Sequence, residues 1–228
     1  RSTFTKDSTA EDVTQGIDLT GKNIVITGVN SGLGQESMRV LASRGAHIIG
    51  TARTMEKAKA AAADVDGKVT PLACELSDFK SVQSCAQAIK ALDIPIDVLI
   101  CNAGIMALPK LELANGFEQQ FTTNHLGHFI LVHSLVDSVK RAEQGRIVML
   151  SSLSHKMAPK GGILFDNLDG SRWYKDWPFY GQSKLANLLT AVSLSKRLEG
   201  SNATANAIHP GVIRTNLSRS MGGVQGFV

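Results

Sequence analysis

The sequence predicts an α/β fold in which helices cover both faces of a parallel sheet. Six short apolar segments alternate with segments whose apolar residues recur at helical spacing, with no internal repeat and no linker. The first apolar segment runs into a glycine-rich turn, and small or polar residues follow several of the others. Strands that alternate with helices form parallel sheets through right-handed crossovers. These observations predict a doubly wound, Rossmann-type sheet within a single domain, 1–228.

Each element follows from local patterns. The six predicted strands cover residues 23–27, 46–51, 68–74, 97–101, 146–150 and 203–208. The first of five predicted helices runs from the glycine turn to residue 44. The other four cover residues 55–64, 79–92, 116–140 and 179–198. Gly45 suits the end of the first helix, where a left-handed backbone is common, and Ser77 or Asp78 suits the start of the third. Residues 1–20 form a polar lead-in.

Composition argues against several classes of protein. Of 228 residues, 43% are hydrophobic and 19% are charged, as in a globular chain. The net charge of +4 comes from scattered basic residues, so we do not expect nucleic-acid binding. No apolar run approaches the roughly 18 residues of a membrane span.

Cysteine and histidine usage carries two further expectations. The three cysteines lack C-x-x-C spacing, and the N-terminus lacks the apolar core of a signal peptide. Both observations favour an intracellular location. We expect the cytoplasm, with an organelle as the second choice. His125 and His128 are three residues apart, but no third ligand stands at metal-binding spacing. We therefore expect no metal site.

The glycine-rich turn after the first strand is the predicted dinucleotide site. Its glycines let a ligand approach the backbone, and the helix that follows directs unpaired N–H groups and its positive dipole end towards a pyrophosphate. The spacing is G-x-x-x-G-x-G, and an ordinary glycine-rich turn is the alternative interpretation of this motif taken alone. The residues expected to contact the cofactor here are Gly28, Asn30, Ser31, Gly32, Leu33 and Gly34.

The second strand indicates which dinucleotide binds. An acidic residue near its end would hold the adenosine ribose of NAD, and none is present. Arg53 is placed instead to meet the 2′-phosphate of NADP, although an exposed loop arginine is the alternative interpretation. We predict NADP as the cofactor, with NAD second.

The ends of the remaining strands supply more of the predicted site. In doubly wound sheets, ligands bind beyond the C-terminal ends of the strands. Small residues at these positions leave room for a flat ligand against the backbone. The further cofactor-binding candidates are Glu75, Asn102, Ala103, Gly104, Pro210 and Gly211.

Tyr180 and Lys184 form the candidate catalytic pair. They are one helical turn apart, after the fifth strand, which ends at Ser152. An ammonium group within about 4–6 Å would lower the phenol pKa from about 10. Tyr180 would then exchange a proton with an alcohol or carbonyl while hydride moves, and the Ser152 hydroxyl would bind the substrate oxygen. Lys184 would also bind the nicotinamide ribose. A surface Tyr–Lys pair with a helix-capping serine is the alternative interpretation.

Together these motifs resemble those of the short-chain dehydrogenase/reductase family over about residues 20–218. The glycine turn matches the family motif, residues 101–104 match its Asn-Asn-Ala-Gly motif except at Cys101, and Ser152, Tyr180 and Lys184 match its catalytic positions. The resemblance implies that Asn124 completes the catalytic set by holding a water in the proton relay. It also implies that Leu76, Val212 and Thr215 line the cofactor, and that hydride moves without a metal.

Within that family, the stretches around Asn124, Ser152 and Lys184 resemble the retinol dehydrogenase group, whose members are mostly NADP-linked. Glu75 replaces the usual aspartate that contacts the adenine amine and is one methylene longer. The family continues with a substrate lid and a seventh strand. We expect residues 212–228 to begin that lid and the seventh strand to be missing from this sequence.

The predicted function is NADP(H)-dependent interconversion of an alcohol and a carbonyl on an apolar substrate such as a retinoid, steroid or lipid aldehyde. A dinucleotide-binding sensor or scaffold with little turnover is the alternative. The intact proton-transfer residues argue against a pure sensor, which needs none of them. The resemblance also implies a homodimer through the helices that carry Asn124 and Tyr180. We expect no nucleic-acid partner and no membrane-spanning segment.

Overall fold

A six-stranded parallel sheet forms the centre of the molecule. The computed structural model describes residues 4–5, 7–211 and 213. The strands are β1 (Asn23–Thr27), β2 (His47–Ala52), β3 (Val69–Ala73), β4 (Val98–Cys101), β5 (Gly145–Leu150) and β6 (Ala203–Ile208). Their order is β3-β2-β1-β4-β5-β6, with every neighbouring pair parallel. The order reverses between β1 and β4, and such a switch point opens a crevice at the C-terminal ends of the strands.

Helices connect the strands and cover both faces of the sheet. They are α2 (Gly32–Ser43), α3 (Met55–Ala63), α4 (Phe79–Lys90), α5 (Gly127–Lys140) and α6 (Asp176–Arg197), while α1 (Ala10–Val13) precedes β1 and a single helical turn, Gln119–Phe121, lies between α4 and α5. A π-helical segment, Thr122–Leu126, leads directly into α5, and a 3-10 turn, Leu153–Met157, follows β5. The predicted doubly wound α/β fold is confirmed.

The core is divided by the sheet because successive strand residues point to opposite faces. Val25 packs in a cluster with apolar residues of α4, α5 and α6. Its neighbours Ile24 and Ile26 pack on the other face with Met38 of α2. Strands that are buried on both faces have nearly continuous apolar sequences, and this pattern allowed the strands to be predicted from the sequence.

Two predicted helix ends are confirmed by their side chains and backbone. Asp78 accepts a hydrogen bond from the backbone N–H of Lys80 at 2.9 Å and so caps α4. Gly45 has a φ of +93°, the left-handed conformation expected just beyond the end of α2. Ser77, the other cap candidate, turns instead towards Glu75.

The prediction of one helix over 116–140 is wrong at its start. Two short antiparallel strands, Leu113–Ala114 and Phe117–Glu118, form a hairpin there. Asn115 and Gly116 both have positive φ, 51° and 81°, as a two-residue hairpin turn requires. The Asn-Gly pair was therefore a hairpin signal that the helical spacing concealed.

The lead-in is held by polar contacts. Thr9 and Asp12 form a reciprocal capping box at the start of α1. Arg39 of α2 forms an ion pair with Glu11, and the Arg44 guanidinium donates to the Glu11 carbonyl at 3.0 Å.

Within the part of the chain that the structure describes, no helix has both the length and the apolar character needed to cross a membrane.

Candidate active site

A cleft opens at the C-terminal ends of the strands, where the topology predicts it. Most of the predicted cofactor-binding residues line it: Gly28, Asn30, Ser31, Gly32, Leu33, Arg53, Glu75, Leu76, Asn102, Ala103, Gly104, Tyr180, Lys184 and Pro210. Sequence reasoning missed seven further lining residues: Thr51, Ala52, Cys74, Ile105, Thr123, Leu150 and Ser151. Most of these lie at or next to strand ends, so the topology was the signal that would have found them.

The glycine turn forms one end of the cleft by packing against the end of β4. A Cβ on Gly28 would lie 2.8 Å from the Cβ of Ala103, and the φ of Gly28 is +74°. A Cβ on Gly34 would lie 2.5 Å from Asn102 Nδ2 and would collide with the Gly28 carbonyl. Gly34 therefore lies beneath the turn and does not line the cleft. The two glycines therefore allow the turn to pack closely against the end of β4, while other residues of the turn and of the start of α2 line the cleft, where a helix N-terminus suits a pyrophosphate.

The end of β4 is tied to the end of β1 through Thr27. The Thr27 hydroxyl accepts hydrogen bonds from the backbone N–H groups of Asn102 and Ala103, both at 3.0 Å. The Asn102 side chain donates to the Thr27 carbonyl at 2.8 Å. These bonds hold the two sides of the switch point together next to the glycine turn.

Arg53 lies at the mouth of the cleft, one residue beyond β2. Its side chain is exposed, and no carboxylate among the described residues forms an ion pair with it. Glu75 lines the same region, but its Oε1 accepts from the backbone N–H and the hydroxyl of Ser77, at 3.1 and 2.9 Å. One carboxylate oxygen of Glu75 is therefore already engaged within the chain.

Thr123 contributes an unexpected polar group to the cleft. It precedes Asn124 in the π-helical segment, and its buried hydroxyl has no hydrogen-bond partner among the described residues. Buried polar groups without a partner are rare, because each costs free energy.

Tyr180 and Lys184 lie on one face of α6 at the other end of the cleft. Their relative exposures are only 4% and 5%, and Lys184 Nζ lies 5.6 Å from the centre of the Tyr180 ring. Lys184 Nζ donates to the Leu150 carbonyl at 3.3 Å. Burial without a carboxylate partner lowers the pKa of Lys184 to about 8.

The pKa of Tyr180 moves in the direction opposite to the sequence expectation. Burial raises it, and a hydrogen bond with the Ser152 side chain only partly opposes that effect. The expected lowering by Lys184 is therefore wrong for the protein without ligand, because removal of the phenolate from water outweighs the stabilising contacts.

Ser152 is a capping residue, the alternative interpretation of its sequence position, and its hydroxyl also interacts with Tyr180. It precedes the 3-10 turn and caps it, because its hydroxyl accepts from the backbone N–H of Ser154 at 3.1 Å. The same hydroxyl donates to Ser154 Oγ at 3.2 Å and also interacts with Tyr180. It is not among the residues that line the cleft, whereas its neighbour Ser151 is.

Asn124 is completely buried, and each of its polar side-chain atoms has a protein partner. Its Oδ1 accepts from the Ile105 backbone N–H at 2.8 Å, and its Nδ2 donates to the Ile105 carbonyl and to Ser183 Oγ, both at 2.9 Å. Its backbone carbonyl accepts from His128 Nδ1 at 2.8 Å and from Asn187 Nδ2 at 3.0 Å. This carbonyl thus has two donors within the chain, and the water-holding role that the family resemblance implies for Asn124 stays a prediction.

The last predicted residues lie at the edge of the described structure. Pro210 lines the cleft, while Gly211, with a φ of +90°, does not. Val212 and Thr215 lie outside the described residues, as does the predicted start of the lid apart from residue 213.

Comparison with known proteins agrees with this geometry. The family model for short chain dehydrogenases matches residues 22–166. The chain is 42% identical over 97% of its length to a chloroplastic short-chain dehydrogenase, TIC 32 B, of Brassica napus, and spans 73% of that protein. It is 43% identical over 90% of its length to human retinol dehydrogenase 13, and spans 62% of that protein.

A solved structure of a metagenomic short-chain oxidoreductase in complex with NADP shares the fold. The TM-score is 0.69 at 25% identity, with 85% of this chain and 84% of that chain covered. The family match covers more than half of the sequence, and the sheet, the glycine turn and the Tyr–Lys pair accord with it. This chain therefore belongs to the short chain dehydrogenase family and is a nucleotide-binding oxidoreductase similar to the retinol dehydrogenases.

Proposed function

We propose that this protein interconverts an alcohol and a carbonyl with NADP(H), and that Tyr180 is its general acid and base. The observation that carries the proposal is one cleft with the glycine turn and Arg53 towards one end and the buried Tyr180–Lys184 pair at the other. Retinoids, steroids and lipid aldehydes are the proposed substrate classes. The similarity to human retinol dehydrogenase 13 supports an apolar substrate.

The proposed cofactor is held from both ends of the cleft. The glycine turn and the start of α2 bind the pyrophosphate, Arg53 binds the 2′-phosphate, and Lys184 binds the nicotinamide ribose. When bound, the nicotinamide supplies hydride transfer to or from the substrate carbon. The absence of an acidic residue after β2 and the NADP-bound structural neighbour support NADP over NAD.

The protonation state of Tyr180 suits the proposed role. Its raised pKa keeps the phenol protonated at neutral pH in the protein without ligand, so it can donate a proton to a carbonyl oxygen during reduction. In the oxidation direction Tyr180 takes up the alcohol proton, and the positive charge of Lys184 stabilises the phenolate that this requires. The Ser152 hydroxyl binds the substrate oxygen in place of its present contact with Ser154.

We further propose that two copies associate through the outer faces of α5 and α6. Phe129, Leu189 and Val192 expose 40%, 49% and 47% of their surface on these helices, and burial in a dimer would remove this apolar area from water. Light scattering tests this proposal. A dimeric parent that becomes monomeric on Leu189→Glu supports it, and a monomeric parent contradicts it.

A reducing compartment inside the cell is the proposed location. All three cysteines, Cys74, Cys85 and Cys101, are buried and unpaired, as is usual where thiols are kept reduced. Fractionation of the source cells with an antibody to the protein tests this, and recovery from an oxidising, extracytoplasmic fraction contradicts it.

The decisive experiment follows NADPH and NADH consumption by the full-length protein with retinal, medium-chain aldehydes and ketosteroids. We expect NADPH-dependent turnover, lost in Tyr180→Phe. Tyr174→Phe is the matched control. Tyr174 is the other tyrosine of the chain, and its hydroxyl donates to the Leu108 carbonyl at 2.7 Å. Tight NADPH binding without turnover on any substrate would favour a sensor or scaffold, and absence of NADPH binding would contradict the site itself.

A further inference from the structure

His128 occupies a fully buried position between the two halves of the candidate site. It lies on α5, one helical turn after Asn124, and does not line the cleft. Its Nε2 is 2.8 Å from the Thr27 hydroxyl, and its Nδ1 is 2.8 Å from the Asn124 carbonyl oxygen. Its imidazole thus links Thr27, the last residue of β1, to Asn124 in the segment that precedes α5.

The contacts of Thr27 determine which atom donates in this chain. A hydroxyl has one donor and two acceptor lone pairs. Both lone pairs of Thr27 are taken by the N–H groups of Asn102 and Ala103. Its proton therefore needs an acceptor, and His128 Nε2 at 2.8 Å is much nearer than the Ile100 carbonyl at 3.5 Å.

This assignment settles the tautomer of the imidazole. Nε2 accepts from Thr27, so Nδ1 carries the ring proton and donates to the Asn124 carbonyl. A second proton on Nε2 would face a hydroxyl with no free lone pair. The neutral form is also the form that burial favours, because the pKa of His128 is lowered to about 4, mainly by burial, with the nearby Lys184 ammonium acting in the same direction.

Asn124 continues the chain of bonds to the catalytic helix. Its Nδ2 donates to Ser183 Oγ, which in turn donates to the Tyr180 carbonyl at 2.7 Å. Its amide also pairs in both directions with Ile105, which lines the cleft. The line from Thr27, adjacent to the glycine turn, through His128 and Asn124 to Tyr180 is therefore unbroken.

We propose that His128, as the neutral Nδ1–H tautomer, is a positioning residue that fixes the distance between the glycine turn and Tyr180. Its catalytic consequence rests on the proposed oxidoreductase function. Misplacement of reacting groups by about 1 Å can cost a hundredfold in rate, so a residue that touches neither substrate nor cofactor can control turnover in this way.

The first test needs no turnover. Long-range ¹H–¹⁵N correlation spectra of the full-length protein at pH 7.5 report the tautomer of each imidazole, and the signal missing in His128→Gln identifies His128. We expect a neutral ring protonated at Nδ1. A ring protonated at Nε2, or at both nitrogens, overturns the proposal.

The second test compares variants of the same ring. His128→Leu removes both hydrogen bonds, whereas His128→Gln keeps a donor and an acceptor. We expect His128→Leu to weaken NADPH binding about fivefold and to lower kcat about tenfold, and His128→Gln to recover both to within about threefold of the parent. His133→Leu, on the exposed face of the same helix, is the control and stays within about twofold.

A purely structural role for His128 predicts a different result. It would lower Tm in His128→Leu but leave kcat and NADPH affinity of the folded protein unchanged, and that outcome overturns the proposal. If His128→Leu does not fold, Thr27→Val removes the bond to His128 together with the two bonds that the hydroxyl accepts from Asn102 and Ala103, while Thr27→Ser keeps all three. We expect Thr27→Val to reproduce the tenfold loss and Thr27→Ser to avoid it, and equal kcat in the two contradicts the inference.

The design separates this proposal from the proposed function. If the parent binds NADPH but reduces none of the carbonyl compounds, the oxidoreductase proposal fails. The tautomer and the NADPH affinities of the two His128 variants then still decide whether His128 positions the site.

Discussion

Lys184 is buried beside Tyr180, with its ammonium 5.6 Å from the ring centre and a backbone carbonyl, Leu150, as its hydrogen-bond acceptor. No carboxylate among the described residues forms an ion pair with it. A buried cation without a counter-ion destabilises the folded state, and such groups are concentrated at functional sites, where a ligand or a reaction step uses the charge. This arrangement supports the catalytic role proposed for Tyr180 and Lys184.

The first prediction concerns that charge. Lys184→Met keeps most of the apolar stem but removes the ammonium, so Tyr180 phenolate and the nicotinamide ribose lose their partner. We expect kcat to fall about a hundredfold, the scale of a lost acid–base contribution. Steady-state kinetics with NADPH and an active aldehyde measures it, with Lys196→Met on the exposed face of the same helix as control. Equal kcat in the two variants would contradict the role given to Lys184.

The second prediction concerns cofactor choice. Arg53→Ala removes the proposed contact with the 2′-phosphate, and a charged hydrogen bond of about 1.5–3 kcal/mol corresponds to roughly ten- to a hundredfold in affinity. We expect that loss for NADPH and almost none for NADH, because NADH has no 2′-phosphate. Titration of cofactor fluorescence measures both. A parallel loss of NADH affinity would show that Arg53 acts through the fold instead.

The third prediction concerns the packing beneath the glycine turn. In Gly34→Ala the new methyl group meets Asn102 Nδ2 at 2.5 Å and the Gly28 carbonyl, so the turn must move away from β4. We expect NADPH affinity to fall at least about tenfold, since the N–H groups no longer converge on the pyrophosphate. Ser37→Ala on the same helix is the control. Unchanged affinity in a folded Gly34→Ala protein would refute the close approach described for this turn.

The fourth prediction concerns acid sensitivity. The pKa values of His125 and His128 are lowered to about 4, mainly by burial, so between about pH 4 and 6.5 the unfolded chain binds protons that the folded chain does not. The free energy of unfolding therefore rises with pH through that window and falls on acidification. Linkage gives about 2 kcal/mol per histidine between pH 7.5 and pH 5.

Urea unfolding at the two pH values measures this loss of stability. The parent should lose more stability on acidification than His128→Gln, because the variant has one fewer buried imidazole to protonate. An equal loss in parent and variant would assign the acid sensitivity to other groups.

Local patterns determined the sheet, the glycine turn and the Tyr–Lys pair. Residues such as Ile24, Val25 and Ile26 are all apolar because both faces of a central parallel strand are covered, and this is visible in a single segment. Tyr180 and Lys184 share a face through the helical period alone. Gly28 and Gly34 are informative because close backbone approach excludes a Cβ.

Tertiary structure alone decided the contacts between distant segments and the effects of burial. Thr27 and His128 are 101 residues apart, and no local spacing predicts that their side chains meet. The direction of the Tyr180 pKa depends on how much water surrounds the phenol, which the sequence does not state. The partners of Asn124 come from α5, α6 and the loop after β4. Periodicity reports which face of an element is buried, but only the packed fold determines which polar groups meet inside it.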